Sequence, residues 1–268
     1  MRLLVPALLA LSLIPATAGE TPWQEVAPGV SLRLVSTGTV ETDGRTLVGL
    51  EIDMPTTTKT YWRVPGETGI PTTVSLRDAS GVLDHDILWP LPEVDHTADY
   101  TDYVYYGPTL LPIAVTPHTE QGLFSAEIVL GICSDICIPV RAEIDLPLET
   151  GSPDAANTLR LRQAIASVPI DWTEADGAEP IGDVTLDVDR SGLRVELDPS
   201  QPIDPDTILA VFADDTPLLG PATRDGAAGA VLPIVGRADT AALVGRSLTL
   251  YFDTPSGPYR LQRVVAPP

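Results

Sequence analysis

The chain has 268 residues and a formal net charge of −21 at pH 7, which argues against nucleic acid and anionic membrane surfaces as partners. Its 27 prolines and 21 glycines are too many for a helical protein and suit short strands joined by turns. The length allows one large domain or two of ordinary size.

The first residues read as an export signal spanning 1–18. Met1-Arg2 gives a positive start, Leu3 to Ile14 is almost wholly apolar, and Ala16-Thr17-Ala18 supplies a small-x-small cleavage pattern. An apolar run of about a dozen residues is too short for a bilayer, which takes ~20 in a helix. The mature chain is therefore expected in a bacterial periplasm, without direct membrane insertion, where disulfides persist.

Clean alternation of apolar and polar residues marks half-buried strands at 30–34, 48–54, 124–130 and 140–146. Less regular β segments lie at 72–76, 86–89, 103–106 and 110–116. Short strands at this density predict an antiparallel β-sandwich over residues 19–150. Ser152-Pro153-Asp154 then offers a cap with proline at the first helical position, and Ala156, Leu159, Ala164, Ile165 and Val168 carry a helix to Pro169. The Gly/Glu/Asp/Pro stretch 174–180 reads as a linker, so 151–180 is a helix and connection. Strand-like runs resume at 184–188, 193–197, 208–212, 231–235, 248–252 and 259–264, predicting a second, smaller β domain over 181–268. The fold class is all-β, and the second domain holds neither cysteine nor histidine.

Cys133 and Cys137 are the only cysteines, with three residues between them at a hairpin-like corner whose tip is Ser134-Asp135-Ile136. A bond there closes a loop worth roughly 2 kcal/mol of chain entropy, against nearly 5 for a loop of about a hundred residues. That makes a weak staple, and short exposed bonds are the more easily reduced ones. Neither a helix start nor a cluster of cations lies nearby to lower a thiol pKa, and Asp135 works against it. The pair reads as a site attacked by another protein. A structural bond and a soft-metal clip remain open.

Four segments in order carry a family resemblance: Lys59-Thr-Tyr-Trp-Arg-Val-Pro-Gly-Glu-Thr-Gly-Ile-Pro71, Leu88-Trp-Pro-Leu-Pro92, Leu111-Pro112 and Cys133-Ser-Asp-Ile-Cys-Ile-Pro139. From about Trp23 to Leu148 the chain resembles the N-terminal periplasmic domain of the DsbD thiol–disulfide reductases, most of all the suppressor-of-copper-sensitivity (ScsB) branch. The resemblance implies an immunoglobulin-like sandwich in which Cys133 and Cys137 cycle between disulfide and dithiol. It implies exchange with thioredoxin-fold periplasmic oxidoreductases and no cofactor. The best-known members have five residues between their cysteines, and DsbD proper continues into a membrane domain and a thioredoxin-like domain. This sequence shows three residues, as in the copper-linked branch, and neither domain, so the expectation is a separately encoded membrane electron donor, or else a module kept after loss of the relay. Residues 181–268 lie outside the resemblance.

The family shields its disulfide with an aromatic cap, and Tyr100 stands near the corresponding place. Tyr61 and Trp62 are pocket candidates, although an aromatic residue on a sandwich strand is more often core. Copper(I) held by Cys133 and Cys137 is the alternative chemistry, since soft sulfur suits it. His85, His96 and His118, spaced by 11 and 22 residues, fit no compact metal motif. Acidic pairs such as Asp84/Asp86 and Asp214-Asp215 lack the pattern of a calcium loop. Lys59 is the only lysine.

Overall fold

The computed structural model describes residues 19–78, 81–201 and 203–268. The expected export signal, 1–18, lies outside the described residues. The first domain holds β1 (Gln24–Ala27), β2 (Val30–Val40), β3 (Thr46–Asp53), β4 (Lys59–Gly66), β5 (Thr73–Asp78), β6 (Val82–Ile87), β7 (Glu93–His96), β8 (Thr101–Tyr106), β9 (Thr109–Pro117), β10 (Gln121–Cys133) and β11 (Cys137–Glu149). One sheet runs β1-β2-β3-β9-β6; the other runs β11-β10-β4-β8-β7, with β5 also paired to β10. All of these pairings are antiparallel.

The alternating segments do what their pattern requires. Leu32, Leu34, Leu50 and Ile52 from one sheet meet Phe124, Ile128, Leu130, Ala142 and Leu146 from the other in a common core. The fold is thus an all-β, immunoglobulin-like sandwich. Alternation misses β1, β4 and β7, and the β segment expected at 86–89 is centred earlier, at Val82–Ile87.

Helix α1 (Ala155–Ile165) is the one α-helix among the described residues. Its N-cap is Asp154, whose side chain accepts from the backbone N–H of Asn157, so Pro153 stands before the cap and not inside the helix as the sequence suggested. The helix packs on β2, β3 and β9. Arg160 on the helix and Arg33 on β2 share the carboxylates of Glu20 and Glu51, fastening helix to sheet.

The second domain is built on an eight-stranded sheet, to which the connection adds β12 (Ile170–Asp171) and residues 181–268 contribute β13 (Ile181–Asp187), β14 (Gly192–Leu197), β15 (Leu209–Phe212), β16 (Thr223–Arg224), β17 (Gly229–Pro233), β18 (Ser247–Thr254) and β19 (Gly257–Ala266). Two of its pairings, β13 and β12 on β19, are parallel. Its core is built from Ile181, Val195, Phe212, Leu232, Leu250 and Phe252 among others. The segment read as a linker is anchored: Trp172 lies against Phe252 and Tyr259, and the Tyr259 hydroxyl donates to Asp176. Among the described residues no helix is long and apolar enough to cross a membrane.

Candidate redox site

Strands β10 and β11 form one long hairpin whose register runs unbroken from Gln121 opposite Glu149 to Cys133 opposite Cys137. The two cysteines are its final pair, and they are joined by a disulfide. Ser134, Asp135 and Ile136 make the exposed tip, with Ile136 75% exposed. The two ends of the bond differ. Cys133 is 6% exposed and packs with Tyr61 and Val104, whereas Cys137 is exposed. An attacking group therefore meets Cys137 first.

On the other side of β10, Cys133 is registered opposite Lys59 at the start of β4. Thr60 donates to the Gly131 carbonyl at 2.9 Å and Thr72 to the Tyr61 carbonyl at 3.0 Å, tying β4 to its surroundings. The Tyr61 hydroxyl stands 3.6 Å from Cys137 Sγ. Its ring lies between two glycines. A Cβ on Gly69 would stand 2.1 Å from Tyr61 Cδ1, and one on Gly131 would stand 2.9 Å from Cδ2. No larger residue fits at either place unless the ring or the backbone beside it shifts.

Beside Tyr61 lies a charged cluster. Lys59 Nζ donates to Asp95 Oδ2 at 2.5 Å and to Asp102 Oδ2 at 3.2 Å, and its side chain is 8% exposed. Asp102 is fully buried and accepts from the Thr68 backbone N–H and hydroxyl. Asp95 also accepts from the hydroxyls of Tyr100 and Tyr106. Burial works to lower the Lys59 pKa, but hydrogen bonds to Asp95 and Asp102 outweigh it and hold the ammonium charged well into the alkaline range. Burial likewise works to raise Asp95, and the bond from Lys59 reverses it, leaving its pKa lowered. Burial pushes the Tyr61 hydroxyl up, and burial with the bond to Asp95 pushes Tyr106 up to about 12, so both stay protonated donors at neutral pH. One cation against two carboxylates, with Asp135 at the tip, does little to favour a thiolate. Tyr61 is the donor in reach of one.

The sequence candidates separate on this map. Tyr61 sits at the sulfur. Tyr100 lies over Lys59 Nζ, 4.8 Å from its ring centroid, and the contact of its hydroxyl is Asp95. Trp62 turns to the opposite face of β4 and meets the rings of Tyr103 and Tyr251 edge-on. His85 contacts the Val74 carbonyl and His96 the Thr101 hydroxyl. Among the described residues no three His, Cys, Asp or Glu side chains cluster as metal ligands. The Lys59–Asp95–Asp102 cluster was not foreseen; the signal for it was a single lysine standing directly before the Thr-Tyr-Trp run.

Residues 33–149 match the family model described as thiol:disulfide interchange protein DsbD, N-terminal. No curated protein matches the chain. Among solved structures, the N-terminal periplasmic domain of ScsB from Proteus mirabilis shares the fold, with a TM-score of 0.71 at 20% identity over 93% of this chain and 99% of that one. The shared architecture thus extends over the second β domain, beyond where sequence resemblance could be traced. The match to the DsbD N-terminal domain family thus covers residues 33–149, the part of the chain that contains both bonded cysteines and the cluster beside them.

Proposed function

We propose that the protein is a periplasmic thiol–disulfide exchange component that relays two electrons through Cys133–Cys137, to or from thioredoxin-fold oxidoreductases. The observation that carries this reading is the unequal exposure of the two bonded cysteines at a hairpin end, one open to a partner and the other enclosed.

In the reducing half-reaction a partner thiolate attacks Cys137 Sγ. A partner–Cys137 disulfide forms, and the electron pair of the broken bond leaves with Cys133 as a thiolate, which takes a proton. The partner's second thiolate then attacks its own sulfur in the mixed disulfide, releasing Cys137 as a thiolate and closing the partner's disulfide. Tyr61 donates a hydrogen bond to Cys137 as negative charge develops there, and the apolar, partly exposed Ile136 and Ile138 flank the point of attack. The reverse sequence passes electrons onward. Tyr100, seated over Lys59, helps close the charged cluster from above.

Single-cysteine variants test this. Cys133→Ala leaves the accessible thiol without its resolving partner and should accumulate a mixed disulfide with a thioredoxin variant that lacks its own second cysteine and whose remaining cysteine is activated as a thionitrobenzoate disulfide, thionitrobenzoate being the leaving group. Cys137→Ala leaves only the enclosed thiol and should yield at least ten-fold less adduct on a non-reducing gel. Equal trapping by both variants, or none by either, overturns the reading. Tight Cu(I) retention by the reduced wild type, with no adduct in either variant, would instead assign the thiols to metal handling.

A further inference from the structure

The second β domain has no chemistry of its own in the proposed reaction, yet its contacts fall on the strands that build the redox pocket. On β4, Tyr61 faces the disulfide, while its neighbour Trp62 meets the ring of Tyr251 from β18 at 5.5 Å and 89°. On β8, Val104 packs against Cys133, while its neighbour Tyr103 donates through its hydroxyl to the Leu219 carbonyl. Arg63, the next residue of β4, donates to Asp215 at 2.8 Å and to the Tyr251 hydroxyl at 3.2 Å. Leu209, Val211 and Tyr251 complete the sandwich core and not the core of their own sheet.

The β4–β8 pairing also breaks at this place. Tyr61 is registered opposite Val104, but the next pair is Gly66 with Asp102, so residues 62–65 have no regular ladder to hold them. The second domain supplies the missing support. Helix α1 and β12 fasten it from the other side, since α1 packs on the first sandwich and β12 pairs with β19.

We propose that residues 181–268 are a buttress for the redox pair: docking of Tyr251, Asp215 and Leu219 onto the irregular part of β4 and β8 sets the position of the Tyr61 hydroxyl at Cys137. The second domain thereby positions a donor that stabilises the Cys137 thiolate. A packed strand passes such a constraint from one face to the other because adjacent residues share one backbone and interiors are too dense to absorb a shift. The charged and titratable groups around the pair are Lys59 and Tyr61 of β4, Asp95 of β7, Asp102 and Tyr106 of β8, Tyr100 and the tip residue Asp135. None of them belongs to the second domain, so any effect of that domain reaches the sulfur through positioning.

This role presupposes that the pair works by exchange, while its test reads one thiol and involves no partner, so the two stand or fall separately. In full-length Cys133→Ala protein, Cys137 displaces iodide from iodoacetamide as its thiolate, and the rate against pH gives a midpoint. Tyr61→Phe should raise that midpoint by about one unit, the loss of one charge-assisted hydrogen bond. Tyr251→Ala should raise it by about half a unit. In a Tyr61→Phe background the Tyr251→Ala shift should vanish, which a merely structural contact would not produce. Asp215→Ala, at a partly exposed position, gives the same reading with a smaller shift if Tyr251→Ala does not fold. An unchanged midpoint in folded Tyr251→Ala and Asp215→Ala proteins overturns the proposal. So does a shift that persists undiminished without the Tyr61 hydroxyl.

Discussion

The two β domains share a construction principle but differ in what they bury. Among the described residues, every buried polar or charged side chain falls between Thr21 and Asn157, including Lys59, Thr60, Thr72, Thr101 and Asp102. The second domain keeps its ion pairs at the surface: Arg190 and Arg194 share Asp225, Arg260 meets Asp171, and Arg263 meets Glu179. A core built from hydrophobic side chains alone gains stability without specifying any chemistry. Burying charge costs desolvation that only close, complete pairing offsets. In the first domain that cost falls beside the disulfide, where it buys a fixed set of donors and acceptors. The difference teaches where to look for function: the unit that departs from simple amphipathic logic is the one holding the site.

Substitution of Lys59 should break that contrast most severely. Lys59→Met leaves Asp102, fully buried, and Asp95 without their cation. Removing one member of a buried pair typically costs 3–5 kcal/mol, and urea unfolding at pH 7 should show a loss of about that size. A loss below about 1 kcal/mol, typical of exposed pairs, would mean that the cluster is as dispensable as those of the second domain. Next comes Gly69→Ala, whose added Cβ would collide with the Tyr61 ring at 2.1 Å. Overpacking of this kind costs about 1–3 kcal/mol. It should also slow alkylation of Cys137 in the Cys133→Ala protein, because the ring that must give way carries the hydroxyl at the sulfur. Wild-type stability for Gly69→Ala would show that the ring is loosely held.

The same contrast explains how much could be read from sequence. Each strand-like run of the second domain overlaps an observed strand, β13 at 184–188, β14 at 193–197, β15 at 208–212, β17 at 231–235, β18 at 248–252 and β19 at 259–264. Its parallel pairings onto β19 were not legible, since alternation carries no information on strand direction. In the first domain β4 escaped because Lys59, Thr60, Tyr61 and Trp62 are all buried. One face of the strand meets the sandwich core and the other meets the site, so no alternation survives. β7 escaped because it is a four-residue edge strand, Glu-Val-Asp-His, whose Asp95 turns to Lys59. The bonded cysteines stood out as neighbours in sequence. The cluster did not, because Asp95 and Asp102 lie 36 and 43 residues from Lys59 and meet it only across the sheet.

Acid should sharpen the comparison with a smaller effect. The Asp95 pKa is lowered in the folded state, so its ionised form contributes stability that is fully present above its unfolded value near 4 and is lost as pH falls through the folded value. Between pH 5 and pH 2.5, about the range over which such a group titrates, wild-type unfolding midpoints should fall more steeply than those of Asp95→Asn. Parallel slopes would remove Asp95 from the stabilising cluster. The smallest effect is expected at the second domain's surface. Arg194→Ala removes one of two arginines on Asp225 and leaves Arg190 in place at 2.9 Å. Both guanidiniums are about half exposed, at 49%, so water and salt already screen the pair, and unfolding free energy should change by less than about 0.5 kcal/mol. A change near that of Lys59→Met would show that charge is as consequential on the second domain's surface as within the redox pocket, and the division of labour between the two units would then fail.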